Sequence, residues 1–251
     1  MLKLIQVTDL HLQADPAEKM QGAVIEQRWL TVFKHIQRYH SNADLLVLTG
    51  DLVHHCGPVA YQRLVKQLDE LNLPAVWLPG NHDDPKQMRQ YGTAALNRKI
   101  IDLAGWRLVL LDSTAHADGL GGGSLAQSEL DFLQDTLNNS EDAHLMVLVH
   151  HNPIHLGSGW QDPISLGNAD AFWRCLSMSQ AVRCVLFGHV HQAWDLSEQG
   201  IRLFSSPAVA PQYKACSDSV VLEDDPQKTG PAYAVYQLTD SGQINANVVR
   251  L

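Results

Sequence analysis

A chain of 251 residues with 45% hydrophobic and 18% charged residues can bury a sizeable core, which excludes a disordered or low-complexity protein. A formal net charge of −9 disfavours long polyanions such as nucleic acid as partners, yet leaves room for a small phosphate ester held by cations. Thirteen histidines in this length invite a search for metal ligands.

The amino-terminal apolar residues Leu2, Leu4, Ile5 and Val7 are interrupted by Lys3 and Gln6, unlike a secretory signal. No apolar run reaches membrane-spanning length, so no membrane association is expected. Cys56, Cys175, Cys184 and Cys216 form no C-x-x-C pair, which fits reduced thiols and the cytoplasm as the expected compartment.

In chain order, the first apolar run, Lys3–Thr8, predicts a buried strand that leads into Asp9-Leu10-His11. Two residues apart on an extended strand end, Asp9 and His11 would project to one side. Ile25, Trp29, Val32 and Ile36 then recur at helical spacing. The next strand, Leu45–Thr49, ends in Gly50-Asp51, and Tyr61, Leu64, Leu68 and Leu71 predict a second helix. A third strand, Ala75–Leu78, runs into Gly80-Asn81-His82-Asp83. Its composition is turn-like, but an amide oxygen can ligate a hard metal and the adjacent imidazole can touch a phosphate. Asp83 would either orient His82 or cap the turn that follows.

The run Leu108–Leu111 ends at Asp112 without a ligand motif. Ala126, Leu130, Leu133 and Leu137 predict a third helix, for which Ser124 and Gln127 offer a capping box. Strand Leu145–Val149 ends in His150-His151, and Val182–Phe187 ends in Gly188-His189-Val190-His191, a spacing suited to a metal pair. Beyond Trp194, Ile201–Phe204, Ala232–Leu238 and Ile244–Val249 follow without helices between them. They read as a second, largely antiparallel sheet or as the closing edge of the first. With no linker or repeat, residues 1–251 read as one domain.

Taken singly, D-x-H and G-D are weak signals, since a surface Asp with a stray His or a plain turn gives the same letters. Jointly they are strong, because five predicted strands end in ligand-type residues at the edge where open α/β sheets bind ligands.

This ordered set, D-x-H, G-D, G-N-H-D, H and G-H-x-H, resembles the calcineurin-like metallophosphoesterase superfamily from Asp9 to His191. More narrowly, Gln6–Leu12, Val76–Asp83, Leu110–Ser113 and Ser206–Lys214 resemble the bacterial class III 3′,5′-cyclic AMP phosphodiesterases. The resemblance implies an α/β fold, a four-layer αββα sandwich of mixed sheets flanked by helices. It also implies that Asp9, His11, Asp51 and His191 hold one divalent metal ion, and that Asp51, Asn81, His150 and His189 hold another, with Asp51 bridging. A hydroxide shared by cations about 3.5–4 Å apart would attack phosphorus in line. His82 would be the catalytic residue that protonates the leaving oxygen, and His11, Asp51, Asn81, His82, His150 and His191 would contact substrate. Mixed nitrogen and oxygen ligation favours manganese, iron, zinc or cobalt over magnesium or calcium, and iron or manganese is expected first.

Of the other histidines, His54 and His55 are expected to face solvent and His151 to pack. His116 could touch substrate from its loop, and His35, His40, His144 and His155 are expected bystanders. The implied partner is a small cyclic nucleotide, and a homodimer is compatible with the sequence. Two other readings stand beside this one: a sibling phosphodiesterase acting on a glycerophosphodiester, a 2′,3′-cyclic nucleotide or a lipid-linked diphosphate, and a non-catalytic scaffold of the same fold.

Overall fold

The computed structural model describes residues 1–140 and 142–251. Its first half gives β1 (Leu2–Val7), a short hairpin of β2 (Lys19–Met20) and β3 (Ala23–Val24), α1 (Ile25–Tyr39), β4 (Leu45–Thr49), α2 (Pro58–Leu71), β5 (Ala75–Leu78), α3 (Pro85–Tyr91), β6 (Ile100–Leu103) and β7 (Trp106–Leu110). There follow α4 (Gln127–Asn138), β8 (His144–Leu148), α5 (Ala169–Leu176), β9 (Val182–Phe187), β10 (Trp194–Glu198), β11 (Ile201–Ser205), β12 (Ala232–Leu238) and β13 (Ile244–Arg250).

Two large sheets form, in the orders β13-β12-β1-β4-β5 and β10-β11-β9-β8-β7-β6. Strands β1, β4 and β5 run parallel, as do β7, β8, β9 and β11. β6, β10, β12 and β13 are antiparallel to their neighbours, and β5 is a parallel edge strand. The central strands are apolar on both faces, as burial on both sides requires. On β4, Leu46 and Leu48 face the cluster that holds Trp29, Val32 and Ile36 of α1 and Leu64 and Leu68 of α2. Leu45 and Val47, one residue out of phase, enter the layer between the sheets, where Val76 and Leu78 meet Leu108, Met146, Leu186 and Phe204. A third cluster joins Val147 and Val185 to Leu133 and Leu137 of α4 and to Phe172 and Leu176 of α5. The order helix, sheet, sheet, helix is the four-layer αββα sandwich expected.

Beyond Trp194 the closing-edge expectation holds for β12 and β13 only. β10 and β11 extend the second sheet, whereas β12 and β13 extend the first. One hairpin pairs with β9 and the other with β1, which covers those central strands and leaves β10 and β13 as the edges. The capping box at α4 is not made. The N-cap is Ala126, with no side-chain cap bond, and Ser124 is drawn instead into a backbone bridge with Ala115. All four cysteines are free thiols. Among the described residues no helix is long and apolar enough to cross a membrane.

Candidate metal centre

The carboxyl ends of β1, β4, β5, β8 and β9 meet at one edge of the sandwich, and each loop there carries one of the five motifs. Asp9, His11, Asp51, His150, His189 and His191 are all buried, in surroundings where unpaired ionisable groups are costly. Asp9, His11 and His191 form one nest, and Asp51, His150 and His189 form another. In the first, His191 Nε2 lies 3.4 Å from Asp9 Oδ1 and 3.2 Å from His11 Nε2. In the second, Asn81 Oδ1 lies 3.1 Å from His150 Nε2 and 3.0 Å from His189 Nδ1. Asp51 faces both nests, its Oδ2 3.5 Å from His11 Nε2 and its Oδ1 3.4 Å from His150 Nε2.

The loops reach this geometry through backbone that L-residues seldom adopt. Asp9, His11, Asp51, His189 and His191 all have positive φ, between 51° and 71°. Asp9 and His11 therefore do not share a side by strand alternation, as expected, because β1 has ended at Val7. Two left-handed residues around Leu10 turn both side chains inward. Long-range bonds hold them: the Asp9 and His11 N–H groups donate to the carbonyls of Gly50 and Asp51, and Ala210 N–H donates to Asp9 O. Two glycines permit the close approach. A Cβ on Gly80 would strike Asp51, and one on Gly50 would strike the His150 ring.

The residues fit divalent cations. His191 Nδ1–H donates to Pro211 O and His150 Nδ1–H to Thr49 O, both at 2.8 Å, so each Nε2 is directed into its nest. Two imidazole nitrogens 3.2 Å apart, His11 Nε2 and His191 Nε2, repel unless a proton or cation lies between them. Burial lowers His11 and His189 well below the usual imidazole range, so both present lone pairs. Burial opposes ionisation of Asp51 too, yet His150, His11 and His82 outweigh it and hold this carboxyl well below the usual range. Burial also works against protonation of His150 and His191, but Asp51 raises the first to about 9 and Asp9 raises the second.

Asp83 does neither thing expected of it. The helix cap is its neighbour Asp84, which accepts from the N–H groups of Lys86 and Gln87. Asp83 instead accepts from the N–H groups of Leu52, Val53 and Gly80 and from the Tyr61 hydroxyl, joining the second and third motif loops. Burial and the nearby Asp51 push it up to about 7, while these donors favour its ionised form.

His82 sits at the rim, its Nε2 4.0 Å from Asp51 Oδ2. Burial lowers it to about 4, so it is neutral here. His54 was expected in solvent but is half-buried. Its ring stacks on His82 at 4.7 Å, and its Nδ1 lies 3.2 Å from His11 Nδ1. His151 packs as expected, bonded to Ser113 Oγ and Gly121 O and lowered by burial to about 3. The nests open into a cavity of about 420 Å³, lined also by Leu120, Trp160, Ile164 and Tyr213, which the sequence does not single out as site residues. His35, His40, His116, His144 and His155 do not line it.

Paired Asp/His nests at the carboxyl edge of an αββα sandwich define the metallophosphoesterase class. The family described as calcineurin-like phosphoesterase matches residues 2–193, and the chain belongs to it. The 3′,5′-cyclic adenosine monophosphate phosphodiesterase CpdA of Escherichia coli is 31% identical over 254 residues, covering 100% of this chain and 90% of that protein. A probable cyclic nucleotide phosphodiesterase of Synechococcus is 34% identical over 215 residues, covering 84% of this chain and 82% of that one. The crystal structure of a dimetal phosphatase from Danio rerio aligns with a TM-score of 0.69 at 15% identity, over 99% of this chain and 98% of that chain, a likeness of fold.

Proposed function

We propose that this protein is a binuclear-metal phosphodiesterase that hydrolyses 3′,5′-cyclic AMP to 5′-AMP, with residues 1–251 acting as one domain. The observation that carries the reading is Asp51, whose two oxygens address two separate nests of nitrogen and oxygen donors. Relatives spanning the whole chain bear the name of cyclic AMP phosphodiesterases, which supports this substrate over other diesters.

In this reading Asp9, His11, Asp51 and His191 hold one cation and Asp51, Asn81, His150 and His189 the other. The mixed donors suit iron, manganese, zinc or cobalt over magnesium or calcium, and iron or manganese is our first assignment. Two such cations supply Lewis-acid polarisation of the phosphoryl oxygens and an activated nucleophile at neutral pH. The chain's own residues do the rest. Thr49 and Pro211 carbonyls fix the tautomers of His150 and His191. His82, at the rim, binds a phosphoryl oxygen and hands a proton to the leaving 3′-oxygen. Because burial keeps it neutral in the free site, it has to draw that proton from water when the anionic substrate binds. His54 stacks on His82 and limits the tilt of its ring plane.

The test is a panel of diesters with manganese- or iron-loaded protein: cyclic AMP, a 2′,3′-cyclic nucleotide, a glycerophosphodiester and bis(p-nitrophenyl) phosphate. Cyclic AMP should show the highest kcat/KM. Turnover no faster than that of the chromogenic diester would remove the substrate assignment, and no turnover of any diester would remove the enzyme reading.

A further inference from the structure

The cavity that opens from the two nests has a second wall of different chemistry. Tyr213 lies along His191, with ring centroids 4.7 Å apart and planes at 33°. Trp160 meets Tyr213 edge-on at 4.9 Å and 79°. Ile164 and Leu120 continue this apolar side to the mouth. Leu120 is 81% exposed, the most exposed large hydrophobic side chain among the described residues. It is nevertheless held in place. Asp118 Oδ1 accepts from the N–H groups of Leu120 and Gly122, and Gly121 O is bonded to His151 Nε2. The loop therefore presents an apolar side chain to open space beside the metal nests.

We propose that Leu120, Trp160, Ile164 and Tyr213 form a subsite for the planar heteroaromatic base of a nucleotide whose phosphate sits at the nests. This deepens the cyclic-nucleotide reading above and rests on it. The cavity, about 420 Å³, falls within the roughly 300–1,000 Å³ of small-molecule sites and exceeds what a phosphoryl group alone would fill. Two aromatic rings at one edge of a phosphate centre suit a π-faced ligand, because base–aromatic stacking tolerates any base while rewarding its presence. Tyr213 is fixed for this role, since its hydroxyl accepts a 3.0 Å bond from Gln21 Nε2. The ring N–H of Trp160 is buried with no acceptor among the described residues, so no hydrogen bond ties this ring away from the cavity. A glycerol moiety has no π face to stack on this wall.

The experiment compares binding of 5′-AMP and ribose 5-phosphate to the metal-loaded protein by calorimetry, so no turnover is needed. The wild type should bind 5′-AMP about tenfold or more tighter than ribose 5-phosphate, in line with stacking on aromatic side chains. Trp160→Leu should cut that ratio at least threefold. Leu120→Ser, at a position too exposed to threaten folding, should also lower it. Equal affinities in the wild type, or a ratio unmoved by both variants, would overturn the subsite. Turnover of cyclic AMP and bis(p-nitrophenyl) phosphate is measured in parallel. Catalysis without a base preference would sink the subsite alone, and a base preference without catalysis would sink the enzymatic reading alone.

Discussion

Tyr61 donates a 2.9 Å hydrogen bond to Asp83 Oδ1 while its own oxygen accepts a 2.9 Å bond from the Asp84 N–H. The second bond fixes the direction of the first, so every group bonded to Asp83 is a donor. Through these bonds α2 braces the loops that carry Asp51 and Asn81. Tyr61→Phe leaves the packing and removes the bond to the carboxylate. It should cost about 1.5–3 kcal/mol, the worth of a hydrogen bond to a charged group. The readout is a lowered urea midpoint with an unchanged slope. An unchanged midpoint would show that the brace carries no load.

Asn81 Oδ1 is shared by His150 and His189 and touches none of the other nest. Asn81→Ala should therefore weaken one cation site selectively. Metal analysis after dialysis should fall from about two ions per chain towards one, as a two-metal site requires. Loss of both ions together would mean that the nests do not bind independently.

How much of this was legible beforehand follows from what ligand chemistry demands. Asp, His and Asn are nearly the only residues that fit the nests, and short apolar runs before them marked the strand ends. The conformation at those ends was not legible. The positive φ of Asp9, His11 and His191 depends on partners far along the chain, such as Gly50, Asp51 and Ala210. α3 was missed although Asp84-Pro85 carries a helix-start signature, because the seven residues that follow bury only Met88 and so show no period. His54 looked like a solvent residue because nothing local reveals that His11 and His82 come to meet it. Trp160 and Tyr213 belong to segments outside helix and strand, where no periodicity points to a shared cavity.

Protons and cations compete for the same nitrogens. Although burial lowers both imidazoles, Asp51 holds the His150 proton up to about 9 and Asp9 raises His191. Each cation must displace such a proton, so apparent metal affinity should rise from about pH 6 towards pH 9, by up to tenfold per unit for each proton lost. The metal-free protein should show the reverse trend in stability. A raised folded-state value stabilises fully below the unfolded value of about 6.5, and that contribution is lost as pH climbs through about 9 for His150. Metal titrations and thermal melts across this range check both directions, and a flat affinity profile would contradict them.

His54 Nδ1 stands 3.2 Å from His11 Nδ1, and both rings are held neutral, chiefly by burial. If His11 Nε2 faces its nest as a lone pair, its Nδ1 carries the proton and His54 Nδ1 must accept it. His54 would then do for His11 what the Thr49 carbonyl does for His150, fixing tautomer and ring orientation from outside the ligand set. His54→Ala should weaken metal binding roughly 10- to 100-fold, the usual cost of losing such a partner, and His54→Gln, which restores an acceptor, should recover most of it. Nitrogen NMR of the imidazoles separates this role from simple packing. The Ala variant should lose the single His11 tautomer, and an Nδ1–H tautomer preserved in that variant would show that His54 does not set it, since Asp51 faces Nε2 and would favour the opposite form.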